Sequence, residues 1–133
     1  MVSGRSDANT GRIRLGMVGG GQGAFIGAVH RLAARMDDQY EFVAGALSAD
    51  AKKAKASGAE LGLSPDRIYT DFHAMAKAEA KRADGIEVVS IVTPNHVHVP
   101  AALAFIEERA DLAGRRRRRT AERSADRRAH RPW

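Results

Sequence analysis

A chain of 133 residues suits one domain. With 44% hydrophobic but only 5% aromatic residues its core is built mostly from Ala, Val, Ile and Leu, and the absence of cysteine excludes disulfides and thiolate metal sites. The net charge of +6 sits at one end: residues 1–106 hold 12 Lys+Arg against 11 Asp+Glu, and residues 107–133 hold 10 Arg against 5 Asp+Glu, so the basic balance describes the tail and not the body.

No apolar run approaches the roughly 18–20 residues of a membrane span. The opening MVSGRSDANTGR lacks the apolar stretch of a secretory signal. The expectation is a cytoplasmic protein with no membrane partner, opening on a disordered leader over residues 1–12.

IRLGMVG, Ile13 to Gly19, is a short apolar run ending in glycine, which predicts a buried strand. Four glycines in five residues follow from Gly19, then AFIGAVHRLAARM. That segment places Phe25, Val29, Leu32 and Met36 on one helical face, with Arg31 and Arg35 elsewhere on the surface. His30 reads as a packed or surface histidine. EFVAGALS, Glu41 to Ser48, predicts a second strand, and Asp50 to Gly62 a helix rich in Ala and Lys, interrupted by Gly58. SPDRIYTD supplies a turn and a short third strand around Ile68–Thr70, and Asp71 is placed to cap the helix FHAMAKAEAKRA. IEVVSIVTP, Ile86 to Pro94, is the strongest strand signal, continuous and β-branched. A helix from about Val99 to Glu107 closes the pattern.

Strand and helix alternate four times, which predicts an α/β fold, a partial doubly wound parallel sheet with strands buried on both faces. A glycine-rich turn between the first strand and first helix is the arrangement that receives a dinucleotide. Counted from Gly19 the spacing is G-x-G-x-x-A, with Gly20 and Gln22 inside the loop and Ala24 sixth; a longer reading runs from Gly21 through Gly23 to Gly27. Gly19 would make the tight turn and Gly21 the close approach to the diphosphate, while Ala24 or Gly27 lets the helix pack on the strand. The phosphates would then sit at the helix N-terminus.

The second strand should end on the residue that reads the adenosine ribose, where an acid favours NAD. Here Ser48 stands in that place with Lys52 and Lys53 following, which leans towards the 2′-phosphate of NADP. Asp50 is near enough to reach back and favour NAD instead, and the lysines also read as a solvated helix face. IVTPNHVHVPAA leaves the fourth strand by a sharp turn, since Pro94 disfavours helical geometry at Thr93. Asn95 and His98 would point to the nicotinamide end of the cofactor. His96 and His98 lack a third ligand at useful spacing, so no metal is expected.

GMVGGGQGAFIGAVH joined to VSIVTPNHVHVPAALAFIE resembles the glucose–fructose oxidoreductase and inositol dehydrogenase family (Gfo/Idh/MocA) over roughly Ile13 to Glu107. The resemblance implies the Rossmann-type NAD(P)-binding domain of an oxidoreductase acting on sugars, polyols and related compounds. It implies that Gly19, Gly21 and Ala24 line the pyrophosphate turn and that Thr93, Pro94, Asn95 and His98 lie along the nicotinamide side.

The family follows T-P-N-x-x-H with a strand ending in Glu-Lys-Pro or Asp-Lys-Pro. This sequence has no Lys-Pro dipeptide, and its five lysines, at 52, 53, 55, 77 and 81, all precede the fourth strand. No catalytic residue is therefore assigned, and residues 13–108 read as an incomplete dinucleotide-binding unit, C-terminally truncated. The tail over 109–133, rich in arginine, has no helical or strand period and reads as the product of a shifted reading frame. Arg115 to Arg119 also allow a nucleic-acid-associating arm making salt-dependent polyanion contacts. Without a fifth strand, EVVSIVT becomes a sheet edge in the expected order 3-2-1-4 and favours self-association.

Overall fold

The computed structural model describes residues 11–109. The leader over 1–10 and the arginine-rich tail over 110–133, with the nucleic-acid reading placed on Arg115 to Arg119, lie outside the described residues. The leader's last two residues are described, and Arg12 pairs with Asp38 at 3.5 Å.

Strand β1 (Ile13–Gly19) leads into helix α1 (Phe25–Met36), strand β2 (Tyr40–Ala46), helix α2 (Ala51–Glu60), a 3-10 turn (Pro65–Arg67), helix α3 (Phe72–Lys81) and strand β3 (Val88–Val92). A last helix, α4, covers 95–109 and starts earlier and runs longer than the sequence suggested. The sheet is parallel in the order β2-β1-β3, with β1 at its centre. No helix among the described residues is long and apolar enough to cross a membrane.

The expected third strand is reduced to one parallel bridge, Gly45 to Ile68, with Tyr69 N–H donating to the Gly45 carbonyl at 2.8 Å. It lies beside β2, where the predicted strand order put it. The 3-10 turn ends at Arg67 and Asp71 already caps α3, so the segment is too short to form a ladder. Beyond β3 no further strand pairs among the described residues.

Successive β1 residues serve opposite faces, as pleating requires. Met17 packs with Leu47 and Leu63, while Val18 packs with Ala44, Ala46, Met75 and Ala101. The small alanines let α3 and α4 approach the sheet closely.

One expectation is reversed. The stripe Phe25, Val29, Leu32 and Met36 does not face the core: Phe25 is 81% exposed and Met36 77%. The helix instead turns Gly27, Arg31 and Ala34 to the sheet, a second stripe nearly opposite the first. The cause is at Gly27, where a Cβ would lie 2.5 Å from the Cα of Gly20 and 2.7 Å from its carbonyl oxygen. Backbone against backbone leaves no room for a large side chain on the inner face.

A buried ion pair fixes the approach to β3. Arg67 (6% exposed) and Glu79 (3%) make a two-pronged contact, Nε to Oε1 at 3.1 Å and Nη2 to Oε2 at 2.6 Å. Glu79 also accepts from the Tyr69 hydroxyl at 2.9 Å and from Ile86 N–H at 3.2 Å. Arg67 reaches the Asp84 carbonyl at 3.1 Å. The carboxylate thereby ties α3, the 3-10 turn and the entry to β3 into one unit. Burial, followed by the bond to Glu79, pushes the Tyr69 phenol up to about 12. Outside this cluster Arg82 bridges Asp66 and Asp84, and its hydrogen bonds hold both carboxyls below their ordinary range.

Candidate dinucleotide site

The carboxyl ends of β1, β2 and β3 open on one cleft of about 590 Å³. From β1 come Gly19, Gly20 and Gly21, with Gln22 and Ala24 behind them. After β2 come Ser48 and, from the first turn of α2, Lys53, and after β3 Thr93 and Pro94. Ligands of open α/β sheets bind outside the carboxyl ends of strands, where the connections leave in opposite directions from a central strand.

The loop needs glycine for definite reasons. Gly19, Gly20 and Gly23 have φ of +82°, +75° and +81°, a region costly for any residue with a Cβ. Gly21 is bare because of the neighbouring strand exit, its missing Cβ lying 2.7 Å from the Leu47 carbonyl oxygen. Its N–H donates to that same carbonyl at 3.1 Å, so this amide is spent inside the fold. Gln22 N–H donates to Ser57 Oγ at 3.0 Å and Ala24 N–H to the Gly21 carbonyl at 3.0 Å.

The amides of Gly23, Phe25 and Ile26 take no partner among the described residues. They stand at the first turn of α1, where a helix always leaves N–H groups unpaired. Helices α2 and α3 are capped by carboxylates, Asp50 to Lys53 N–H at 2.8 Å and Asp71 to His73 N–H at 3.1 Å. Helix α1 begins at Ala24, which has no capping atom, and carries no acid in its first turn. The helix that faces the glycine loop is the one among these three left open to an external anion.

Three side chains that the sequence did not single out hold the loop. Arg31 donates to the Gly20 carbonyl at 2.8 Å, Ser57 accepts from Gln22, and Glu60 accepts from Gln22 Nε2 at 2.8 Å. Together they line a second cleft of about 380 Å³ on the α1–α2 side of the loop. Burial, then repulsion from Arg35, lowers the Arg31 guanidinium from its ordinary value, while Glu60 works the other way. The sequence reads Arg31 as a surface residue; only its spacing of four from Gly27 signals that it faces inward.

At the exit of β2, Ser48 Oγ accepts from Asp50 N–H at 3.2 Å, and Lys53 makes no ion pair among the described residues. The Asp50 carboxylate is occupied as the cap of α2. At the β3 end Asn95 and His98 are not part of the cleft wall. Asn95 is exposed in the first turn of α4. The His98 ring lies over the strand exit, Nε2 at 2.8 Å from the Thr93 carbonyl oxygen. His30 bonds to Ser90 Oγ at 2.9 Å, away from the loop. Among the described residues no three His, Cys, Asp or Glu side chains gather as a metal site.

A family model described as an oxidoreductase family with an NAD-binding Rossmann fold matches residues 13–112. The uncharacterized oxidoreductase YfiI of Bacillus subtilis (strain 168) is 43% identical over 96 residues, 71% of this chain and 24% of that protein. Among solved structures, an oxidoreductase from Sinorhizobium meliloti is 65% identical with a TM-score of 0.70, covering 74% of this chain and 27% of that one. An inositol dehydrogenase homolog from Azotobacter vinelandii, complexed with NADH and myo-inositol, is 40% identical with a TM-score of 0.71, covering 74% and 26%. The chain spans about a quarter of the length of these relatives.

Proposed function

Since the chain belongs to the Gfo/Idh/MocA oxidoreductase family and carries its NAD-binding Rossmann domain, we propose that residues 13–108 bind a nicotinamide dinucleotide across the ends of β2, β1 and β3. The observation that carries this reading is the uncapped N-terminus of α1, with spare amides at Gly23, Phe25 and Ile26 beside a loop of positive-φ glycines. The diphosphate sits there, the helix dipole and the amides offsetting its charge. Gly19, Gly20, Gly21, Gln22 and Ala24 form the turn around it. The adenosine ribose lies at Ser48 and Lys53, and the nicotinamide half at Thr93 and Pro94.

The free ammonium of Lys53 beside the Ser48 hydroxyl suits a ribose 2′-phosphate, and the nearest acid, Asp50, is engaged at α2. NADPH is therefore expected to bind more tightly than NADH. When bound, the cofactor supplies hydride transfer; in full-length family members the substrate would be a sugar, polyol or related compound.

Titration of the chain with NADH and NADPH, followed by nucleotide fluorescence, tests the reading. Both should bind, and Lys53→Glu should weaken NADPH by about tenfold or more while sparing NADH. A folded chain that binds neither at millimolar concentration refutes the assignment. Equal loss of both on Lys53→Glu refutes the NADP preference alone.

A further inference from the structure

The four side chains that α1 turns outward have a spacing of their own. Phe25, Val29, Leu32 and Met36 follow one another at intervals of four, three and four residues. That alternation lays two helices along each other in a continuous seam. Val29 is the least exposed of the four at 42%. Gly27 and Ala34, on the opposite side of the helix, are the residues turned to the sheet.

The row is complementary to its own reverse. When two copies of α1 lie antiparallel about the helix midpoint, Phe25 of one faces Met36 of the other, and Val29 faces Leu32. A thioether against an aromatic ring is a favourable contact, and the aliphatic pairs fill the centre. Ala28 and Ala33, both exposed, face each other beside the seam and let the backbones approach. Arg35 comes beside Ile26, its stem over that side chain and its charge at the rim.

Charge selects the same direction. The N-terminus of α1 has no cap and no acid in its first turn. Asp37 closes the other end, and its carboxylate takes no hydrogen bond or ion pair among the described residues. An acid at a helix C-terminus opposes the dipole of its own helix. In the antiparallel pair each Asp37 comes beside the open, positive end of the other helix, whereas a parallel pair leaves both acids at the wrong end.

We propose that α1 is a self-association surface: two copies of the chain pair antiparallel through Phe25, Val29, Leu32 and Met36. Specific interfaces bury about 800 Å² per partner, and four large side chains per copy lie at the low end of that class. The dissociation constant is therefore expected on the order of 100 µM, and the row stays open in dilute solution.

Sedimentation velocity of the full chain, from about 5 µM to about 1 mM, tests this. The parent should pass from monomer to dimer. Leu32→Glu should stay monomeric throughout, with a circular dichroism melt like that of the dilute parent. Asp37→Asn should weaken the dimer severalfold, because two carboxylate–dipole contacts are lost. The chain has no cysteine, so Val29→Cys and Leu32→Cys proteins can be mixed and oxidised to report direction. The mixed disulfide should outweigh both homodimeric ones. A parent that is monomeric at the highest concentration overturns the proposal. So does a dimer that survives Leu32→Glu, which would put the contact elsewhere, the β3 edge included. A predominance of homodimeric disulfides refutes the antiparallel arrangement.

Discussion

Replacing Ala24 by aspartate should make the protein more stable and a weaker binder at once. Ala24 has φ −95° and ψ 107°, the extended geometry of a capping residue, so the substitution needs no change of backbone. A carboxylate there accepts from the second or third amide of α1 and meets the positive end of the helix. The cap hydrogen bond contributes about 1 kcal/mol and the dipole about 0.3–1 kcal/mol more. In a domain of this size that raises the melting temperature by on the order of 5–10 °C. The same carboxylate takes an amide intended for the diphosphate and sets a negative charge beside it. Two unit charges about 5 Å apart repel by roughly 3 kcal/mol at an effective dielectric constant near 20. Screening by salt reduces this, leaving an affinity loss of about tenfold to a hundredfold. Ala24→Ser supplies the cap without the charge, so it should stabilise with a smaller loss. Circular dichroism melts and NADH titrations at low and high salt measure the two effects, and the gap between the serine and aspartate proteins should narrow in salt. An Ala24→Asp protein that is stabilised yet binds NADH like the parent would show that the diphosphate does not sit at α1.

At Gly27, a Cβ would meet only backbone of Gly20, so α1 must lift from the loop. Gly27→Ala should cost about 1–3 kcal/mol, against at most about 1 kcal/mol gained in helix propensity, and weaken NADH binding; an unchanged urea midpoint would contradict the close contact. Glu79→Ala strands the Tyr69 hydroxyl and Ile86 N–H and leaves the buried Arg67 guanidinium to Asp84 alone among its acids, and should cost about 3 kcal/mol in denaturant unfolding. A loss under about 1 kcal/mol would mean the pair is solvated. Tyr69 keeps its proton up to about 12, against an ordinary value of 10.0. Its contribution to stability is complete below pH 10 and is lost as pH rises towards 12, because the unfolded phenol ionises first. Tyr69→Phe should remove that part of the alkaline decline, and phenolate absorbance during the titration checks it.

Local chemistry was legible where one residue type admits one role. The apolar run ending in Gly19 defined β1 to the residue, and Asp71 caps α3 as its position predicts. The glycine loop and the Thr-Pro turn come together in one cleft, with Ser48 and Lys53 on the other side of the loop, after β2. Relations between distant segments were not legible. Periodicity identifies the two stripes of α1 but not which faces the sheet; the contact between Gly27 and Gly20 decides that. Gly21 reads as a residue made bare for a ligand, whereas Leu47, brought beside it by β2, already accounts for its missing side chain. The Arg67–Glu79 pair joins residues 12 apart through a turn whose geometry no pattern of charges reveals. The sequence points His98 to the nicotinamide end, and its ring bonds to the Thr93 carbonyl at the exit of β3.

The outward row on α1 has a practical consequence for anyone handling this protein. Four bulky side chains spaced over three turns make a greasy ridge about 17 Å long on an otherwise well-ordered helix. Dyes that fluoresce on meeting oily surfaces will light up on the intact fold, so a bright starting signal in a dye-based melt reports this ridge and not misfolded material.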